Sequence, residues 1–313
     1  MNVDDQIETA TVARRHYLAG RTKVQIANEL GISRFKVSRL LKDALKQGIV
    51  TITVSLPQGV DDELSIRLRE RFGLKRAIVV ASPDESPEAV RNSIGKAAAQ
   101  VLMETIQEGD VVGIANGRTI GAAVQHITSL APCDVVQLTG IGLSVEADSV
   151  ELVRRVSVIS GGVPHAIYAP LIVDTATTAS LLRADASIMQ AIELFPKVTM
   201  ALVAVGSWVP PDSQLFLSLK PAERETLLAR GVCADVAGGL LDSQGHSLQD
   251  LADRTIGISL EELRVIPQLV VIGGGAKKVD AIHAVLKSQL ASVLVTDVGV
   301  ARAILKRARA QRN

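Results

Sequence analysis

The sequence predicts an α/β chain in two parts, a winged helix-turn-helix over 1–56 and a Rossmann-like parallel-sheet domain over 76–313, with a linker helix over 57–75. At 313 residues the chain is longer than one compact core usually needs. Apolar residues make up 47% of it but aromatic residues only 2%, so Val, Ile, Leu and Ala must fill the core, as in parallel sheets covered by helices. The net charge is +1, yet 14–50 holds nine Lys or Arg and two acidic residues. This small basic segment suits contact with a polyanion.

Several classes of protein are disfavoured by simple features. No apolar run approaches the roughly 18 residues needed to cross a bilayer, and the first ten residues are polar and acidic, unlike a secretory signal. The two cysteines, Cys133 and Cys233, lack the spacing of a zinc site or a disulfide framework. We expect a cytoplasmic protein with no metal, no cofactor and no membrane partner.

Residues 23–42 have the spacing of a helix-turn-helix, in which two short helices cross at a fixed angle. Ala27 is small where the helices would approach each other, and Gly31 lies in the turn, where glycine accepts a positive φ at little cost. The predicted miniature core contains four apolar side chains, Ile26, Leu30, Val37 and Leu40.

The second helix of this unit is predicted over 33–47, with Ser33 as its N-cap. Its N-terminal part would enter the major groove of DNA, where Arg, Lys and Ser contact bases or phosphates. The candidate DNA-binding residues are Ser33, Arg34, Lys36, Ser38, Arg39 and Lys42. A basic helix that is merely solvated is the alternative, and the preceding helix and turn favour DNA contact.

A wing and a linker follow. Gly48 ends the helix, and the alternating segment 50–55 has the pattern of a strand. Pro57 and Gly59 mark a linker, after which 61–72 is predicted as a short charged helix with one apolar stripe.

In the large domain, short apolar runs alternate with helical segments, which indicates a parallel sheet wound on both faces. The predicted strands are 77–81, 111–115, 135–139, 166–170, 201–205, 269–273 and 293–297. The predicted helices between them include 87–107, 149–159, 221–230 and 278–288.

Glycine and small polar residues follow several of these strands, at the sheet edge where such folds bind ligands. Residues 116–119 also open a helix, whose backbone N–H groups could hold a phosphate. Similar turns occur at 139–142, 206–207, 273–278 and 296–297. One such turn is weak evidence, but several at one edge, with Arg118 and Lys278 as cations, predict a small anionic ligand.

The chain resembles the SorC family of bacterial sugar-responsive regulators over nearly its whole length. The resemblance rests on QIANELGISRFKVSRLL (25–41), VGIANGRT (112–119), APLIV (169–173), LLDSQG (240–245), GGGAKKVDAI (273–282) and LVTD (294–297), in that order. It implies a sugar-binding domain related in fold to phosphosugar isomerases, a phosphorylated sugar as effector, a dimer or tetramer, and repression relieved by the sugar. The DNA partner would be a double-stranded operator, which for a symmetric oligomer would be palindromic.

Position by position, the resemblance implies a phosphate loop at Gly117, Arg118 and Thr119, with Lys278 as the opposing cation, Asp235 offering a carboxylate to sugar hydroxyls and Asp297 ending the last strand. The predicted effector site comprises Asn116, Gly117, Arg118, Thr119, Thr139, Gly140, Asp235, Gly274, Lys278 and Asp297. Two segments depart from the family pattern, AVG at 204–206 and the stretch 232–239, so the resemblance does not define the shape of the sugar pocket.

Two other functions are compatible with this sequence. A phosphosugar isomerase or deaminase would need a base near the sugar, commonly a carboxylate with histidine after a glycine turn. Residues 206–211 supply neither, and the five histidines are scattered, so no catalytic residue is predicted. A scaffold that binds DNA without a ligand would leave the glycine-rich strand ends unexplained.

Overall fold

In the computed structural model, residues 3–51, 59–142 and 149–310 are described, and the chain divides into two compact units, Met1–Gln58 and Gly59–Asn313. Within those ranges no helix is both long enough and apolar enough to span a bilayer. Each unit has a hydrophobic cluster of its own.

The small unit contains three helices, α1 (Val3–Tyr17), α2 (Lys23–Leu30) and α3 (Arg34–Lys46). Thr22 caps α2: its hydroxyl accepts from the Gln25 N–H, and the Gln25 side chain accepts from the Thr22 N–H. Gly31 ends α2 in the left-handed conformation, with φ of 65°, which confirms the predicted turn. The predicted wing, 50–55, lies largely outside the described residues, which end at position 51 on this side of the gap.

The hydrophobic core of the small unit lies between its three helices. Its buried members are Val12, Ala13, Ile26, Ala27, Val37, Leu40, Leu41 and Ala44. Leu30 is partly buried against them. The predicted core of α2 and α3 is therefore present, and α1 completes it through Val12, which is fully buried.

The large unit alternates helices and strands. Its helices are α4 (Asp62–Phe72), α5 (Pro87–Thr105), α6 (Arg118–His126), α7 (Ser149–Ser160), α8 (Ala176–Arg183), α9 (Ala186–Ile192), α10 (Gln214–Ser218), α11 (Pro221–Ala229), α12 (Leu260–Val265), α13 (Val279–Lys287) and α14 (Val298–Ala310). Its strands are β1 (Arg76–Val80), β2 (Val111–Ile114), β3 (Asp134–Gln137), β4 (Pro164–His165), β5 (Met200–Trp208), β6 (Pro211–Asp212), β7 (Val232–Val236), β8 (Gly239–Asp242), β9 (Ser247–Leu248), β10 (Gln268–Ile272) and β11 (Val293–Asp297).

Seven strands form the predicted parallel sheet, in the order β1-β11-β10-β5-β2-β3-β4. From β2 the chain moves outward to β3 and β4, whereas from β5 it moves the other way to β10 and β11. The boundary between β2 and β5 is therefore a topological switch point, where open α/β sheets form a crevice beyond the carboxyl ends of their strands.

The predicted strand at 166–170 is wrong. The strand in this region is β4, which comprises only Pro164–His165. The Gln137 side chain accepts the Ile167 N–H at 3.0 Å, so a side chain replaces the next backbone partner of the ladder. Only an isolated bridge between Ile141 and Pro170 follows.

An antiparallel extension was not predicted by the alternation of strands and helices. β5 continues past the parallel sheet, and its last residues pair with β6 and β7, which leads on to β8 and β9. This extension brings Asp212 and Asp235 to the carboxyl end of β5.

The segment predicted as a linker helix is an integral part of the large unit. α4 packs against β1 and α14, because Leu64 and Leu68 on its apolar stripe are buried in the main core. The Ser65 hydroxyl also accepts the Val79 N–H of β1 at 2.9 Å.

Candidate functional site

A cavity of about 310 Å³ opens at the switch point between β2 and β5. Segments that follow β2, β3 and β10 line it, together with the end of β5 and the antiparallel extension. Eight of the ten predicted effector-site residues lie in its wall: Asn116, Gly117, Arg118, Thr119, Thr139, Asp235, Gly274 and Lys278. The structure thus brings together residues up to 162 positions apart in the chain.

The N-terminus of α6 faces this cavity. Gly117 is its N-cap and supplies no side-chain acceptor to the first turn, so the first N–H groups have no capping side chain. Its φ of 158° and the Ala204 Cβ, which would lie 3.1 Å from an added Cβ, both favour glycine here. Unpaired N–H groups at a helix N-terminus, with the helix dipole behind them, form a site for a phosphate or a carboxylate.

Two cations flank this helix end, and one carboxylate contacts both. Arg118 pairs with Asp212 Oδ1, while Lys278 Nζ lies 3.6 Å from Asp212 Oδ2. Lys278 Nζ also donates to the backbone carbonyl of Val205. Burial lowers the pKa of Lys278, against the opposing effects of Asp212 and Asp235. An anion that entered the cavity would add negative charge beside the two cations, which share the single carboxylate of Asp212.

Asp235 forms the buried acidic end of the cavity. Its Oδ1 accepts the Trp208 Nε1–H at 2.8 Å and the hydroxyl of Ser213. Burial raises the pKa of this carboxyl, although both hydrogen bonds and the charge of Lys278 favour its ionised form. Gly206 is required beside it, since an added Cβ would lie 2.3 Å from Asp235 Oδ1.

Three side chains in the cavity wall present buried polar atoms without a hydrogen-bond partner. They are both amide atoms of Asn116, the hydroxyl of Thr139 and the amide nitrogen of Gln214. Buried polar groups are almost always paired in folded proteins, and an unpaired one costs about 1–3 kcal/mol. Unused donors and acceptors on residues of one cavity wall are suited to a ligand that carries hydroxyl groups.

The remaining two predicted residues, Asp297 and Gly140, lie outside the cavity wall and contact the segments that form it. The Asp297 carboxylate accepts the Gly275 N–H at 2.7 Å and the Val300 N–H at 3.1 Å, so it holds the 273–278 turn against the start of α14. Gly140 donates its N–H to the Ile256 carbonyl, and an added Cβ would lie 2.4 Å from the Pro170 carbonyl oxygen. Neither residue lines the cavity.

Asp212, Ser213, Gln214 and Trp208 were not among the predicted site residues. No helix or strand pattern in the sequence places residues 212–214 near the carboxyl end of β5. The two-residue pairing of β6 with β5 does so. The available signal was the run of polar residues directly after two prolines, which marks a turn.

The six predicted DNA-binding residues lie at the start and along one side of α3. The Ser33 hydroxyl accepts the Lys36 N–H at 3.1 Å, which confirms it as the N-cap. Arg34, Arg39 and Lys42 are exposed, and Ser38 is half-buried. Lys36, another of the six, forms an ion pair with Glu8 of α1, with its Nζ 2.6 Å from Glu8 Oε1.

The titratable side chains of the cavity wall decide which chemistry it could support. Glu85, Asp212 and Asp235 supply carboxylates, but none of the described wall residues is a histidine. Among the described residues, no cluster of three His, Cys, Asp or Glu side chains is arranged to hold a metal ion.

Comparisons with known proteins agree with this division of the chain. Residues 57–306 match the family described as "Putative sugar-binding domain". The chain is 31% identical to the deoxyribonucleoside regulator of Bacillus subtilis (strain 168), over 97% of this chain and 99% of that protein. It is 31% identical to the transcriptional regulator LsrR of an Enterobacter species (strain 638), over 95% of this chain and 92% of that protein.

Solved structures show the same fold. The full-length sorbitol operon regulator SorC from Klebsiella pneumoniae superposes with a TM-score of 0.73 at 25% identity, covering 96% of this chain and 99% of that one. Because this superposition spans both units, the likeness extends beyond the large unit with the cavity.

Proposed function

Because the chain belongs to the SorC-like family of transcriptional regulators with a sugar-binding domain, we propose that it binds operator DNA and that a small phosphorylated sugar controls its operator affinity. The observation that carries this proposal is the cavity at the switch point, where an uncapped helix N-terminus and unpaired amide and hydroxyl groups meet. The helix end suits a phosphate, and the unpaired groups suit sugar hydroxyls.

In this proposal, the small unit is a winged helix-turn-helix and α3 is its recognition helix. Arg34, Arg39 and Lys42 are exposed on α3 and supply positive charge to phosphates or guanine edges. The packing of Val37 and Leu40 into the small core supports this orientation, because it leaves the basic side of α3 outside.

The phosphate would bind at Gly117, Arg118 and Thr119, with Lys278 as the second cation. Asn116, Thr139 and Gln214 would bind hydroxyl groups. Asp235 would contribute either its free carboxylate oxygen or, through Trp208 and Ser213, a fixed cavity shape. We propose further that this unit shares its fold with phosphosugar isomerases.

Control of DNA affinity requires two arrangements of the protein that the sugar distinguishes. A symmetric dimer or tetramer would present paired recognition helices to a palindromic operator, with half-sites separated by whole helical turns. A preference of about 1–3 kcal/mol of the effector for one arrangement changes operator affinity about five- to 150-fold. We propose repression that the sugar relieves, in the cytoplasm.

An enzyme is the alternative, since a phosphosugar isomerase or deaminase would use a cavity of the same kind. Asp235 is the observation in its favour: it is a buried carboxyl with a raised pKa beside the proposed sugar site. The absence of a histidine among the described wall residues argues against that chemistry.

A ligand screen on the 313-residue chain separates these functions. Thermal unfolding is measured with triose, pentose and hexose phosphates, the matching unphosphorylated sugars and inorganic phosphate, and each mixture is then analysed for products. We expect a saturable shift with one sugar phosphate and no turnover. Turnover would establish the enzyme, and no response to any compound would contradict the sensor.

Two variants make the screen specific to the cavity. Lys278→Met should abolish most of the shift, because it removes the half-buried cation opposite α6. Lys96→Met is the matched control, since Lys96 is an exposed lysine on α5 that does not line the cavity. If the sugar phosphate raises the unfolding temperature of both variants equally, its binding site lies outside this cavity.

A further inference from the structure

Phe35 has the most exposed large apolar side chain among the described residues, with 88% of its surface accessible. It lies in the first turn of α3, directly after Arg34. A phenylalanine covers about 150–250 Å² when it is buried, so leaving the ring in water sacrifices a large favourable contribution. A ring exposed to this degree is free to pack against a partner, and what that partner is must be judged from the residues beside it.

The residues that share a helix face with Phe35 indicate the chemical class of the partner. Ser38, Arg39 and Lys42 follow it at intervals of three, four and seven residues, the spacing of one helix face. The buried residues of α3, Val37, Leu40, Leu41 and Ala44, occupy the other side. Phe35 therefore lies at the N-terminal end of the same face that carries the exposed cations.

A polyanion that also carries an apolar group would complement both the cations and the exposed ring on this face. In a helix-turn-helix, the N-terminal residues of the recognition helix contact base edges in the major groove. The C5-methyl group of thymine is the apolar group on those edges, and phenylalanine is among the side chains that contact it. Arg39 and Lys42, further along the face, can bind the adjoining phosphates or guanines.

We infer that Phe35 contacts the methyl group of a thymine in each half-site, and that it thereby selects thymine at one position of the operator. This inference rests on the proposed function, because it assigns a sequence-determining role to a residue of the proposed recognition helix. It adds an apolar contact to a set of candidates that were all polar.

Removal of single methyl groups from DNA tests the inference directly. The 313-residue chain first enriches duplexes from a random pool, and the best one is called the selected duplex. Each thymine of the selected duplex is then replaced in turn by deoxyuridine, which lacks only the methyl group. Dissociation constants are measured for the native chain and for Phe35→Ala, Phe35→Leu and Arg39→Ala.

At one position per half-site, deoxyuridine should weaken binding of the native chain about fourfold, the effect of losing one buried methylene-sized group. Phe35→Ala should bind the thymine and deoxyuridine duplexes equally, whereas Phe35→Leu should keep part of the preference. Arg39→Ala should bind more weakly overall and keep the full preference. Because Phe35 is almost fully exposed, its variants should unfold at the native temperature.

Three results would overturn the inference. A native chain that selects a sequence but never distinguishes thymine from deoxyuridine would refute the methyl contact while leaving DNA recognition intact. A thymine preference that persists in Phe35→Ala would assign the contact to another residue. Failure to enrich any sequence would refute both the inference and the proposed DNA-binding function.

Discussion

Lys278 and Asp212 face each other in the wall of the cavity, with Nζ 3.6 Å from Oδ2. Because the other oxygen of Asp212 pairs with Arg118, the two cations beside the N-terminus of α6 share one carboxylate, which offsets only one of their two positive charges. A phosphate bound at that helix end would compete with Asp212 for the same two cations. Asp212 should therefore lower the affinity of this site for an anion.

Removal of this competition should strengthen anion binding. In Asp212→Asn, both cations lose their internal partner, and inorganic phosphate should bind about three- to tenfold more tightly, or roughly 0.7–1.4 kcal/mol. The phosphate dependence of thermal unfolding gives the two dissociation constants. Phosphate is the probe because it has no sugar hydroxyl that Asp212 could bind. Equal or weaker phosphate binding by the variant would contradict this role.

The unpaired amide of Asn116 should lower stability in the absence of ligand and raise affinity for it. In Asn116→Ala without ligand, the unfolding temperature should stay unchanged or rise by up to about 3 °C, because the buried polar atoms are gone. The shift produced by the effective sugar phosphate should shrink, with affinity at least about tenfold weaker. Thr128→Ala, outside the cavity, is the control. Lower stability together with undiminished ligand binding would show that Asn116 is purely structural.

The parallel sheet could be predicted because its strands are continuous apolar runs that alternate with helices. β1, β2, β3, β5, β10 and β11 all occur within one residue of a predicted start. The antiparallel extension could not be predicted in the same way, since β6 and β9 have only two residues each and no periodicity. The error at 166–170 has a similar origin, because a tertiary contact from Gln137 decides where that strand ends.

The candidate site was predictable where it follows from strand ends. Asn116, Thr139 and Gly274 each lie two residues beyond the end of a parallel strand, and the carboxyl ends of such strands meet at one edge. Asp212 and Gln214 reach the cavity through the extension, so their place depends on the pairing of β6 with β5, which the turn signal of two prolines does not by itself predict. Likewise, the pairing of Lys36 with Glu8 depends on the packing of α1 against α3.

Asp235 should make stability depend on pH. Burial raises the pKa of its carboxyl in the folded state above the ordinary value of 3.8, so the ionised form destabilises the fold. This cost is absent below pH 3.8, where the group is protonated in both states, and it develops as the pH rises through the folded-state pKa.

The variant Asp235→Asn cannot ionise and can still accept from Trp208 and Ser213. Relative to the native chain, it should gain stability as the pH rises through the folded-state pKa of Asp235, and the difference should level off above it. Denaturant unfolding from acid to neutral pH measures this. A difference that does not vary with pH, or that favours the native chain as the pH rises, would contradict the raised pKa.

Arg39 and Lys36 are two cations of α3 that can be compared with each other. Arg39 is exposed, whereas Lys36 is held by Glu8. Arg39→Ala should weaken binding to the selected duplex about tenfold and, if the contact is to a phosphate, lower the salt slope by about one. Lys36→Ala should leave the salt slope unchanged. Binding titrations at several KCl concentrations give both slopes, and equal losses in the two variants would show that Lys36 leaves Glu8 to bind DNA.

The dependence of operator affinity on the sugar tests the coupling between the cavity and α3 most directly. The dissociation constant of the 313-residue chain for the selected duplex is measured at constant salt, without ligand and with a saturating amount of the sugar phosphate identified by thermal shift. The sugar should change this constant by about fivefold to 150-fold, and Lys278→Met should remove the change while binding the duplex normally. An identical dissociation constant with and without a saturating ligand would contradict control of DNA binding by the cavity.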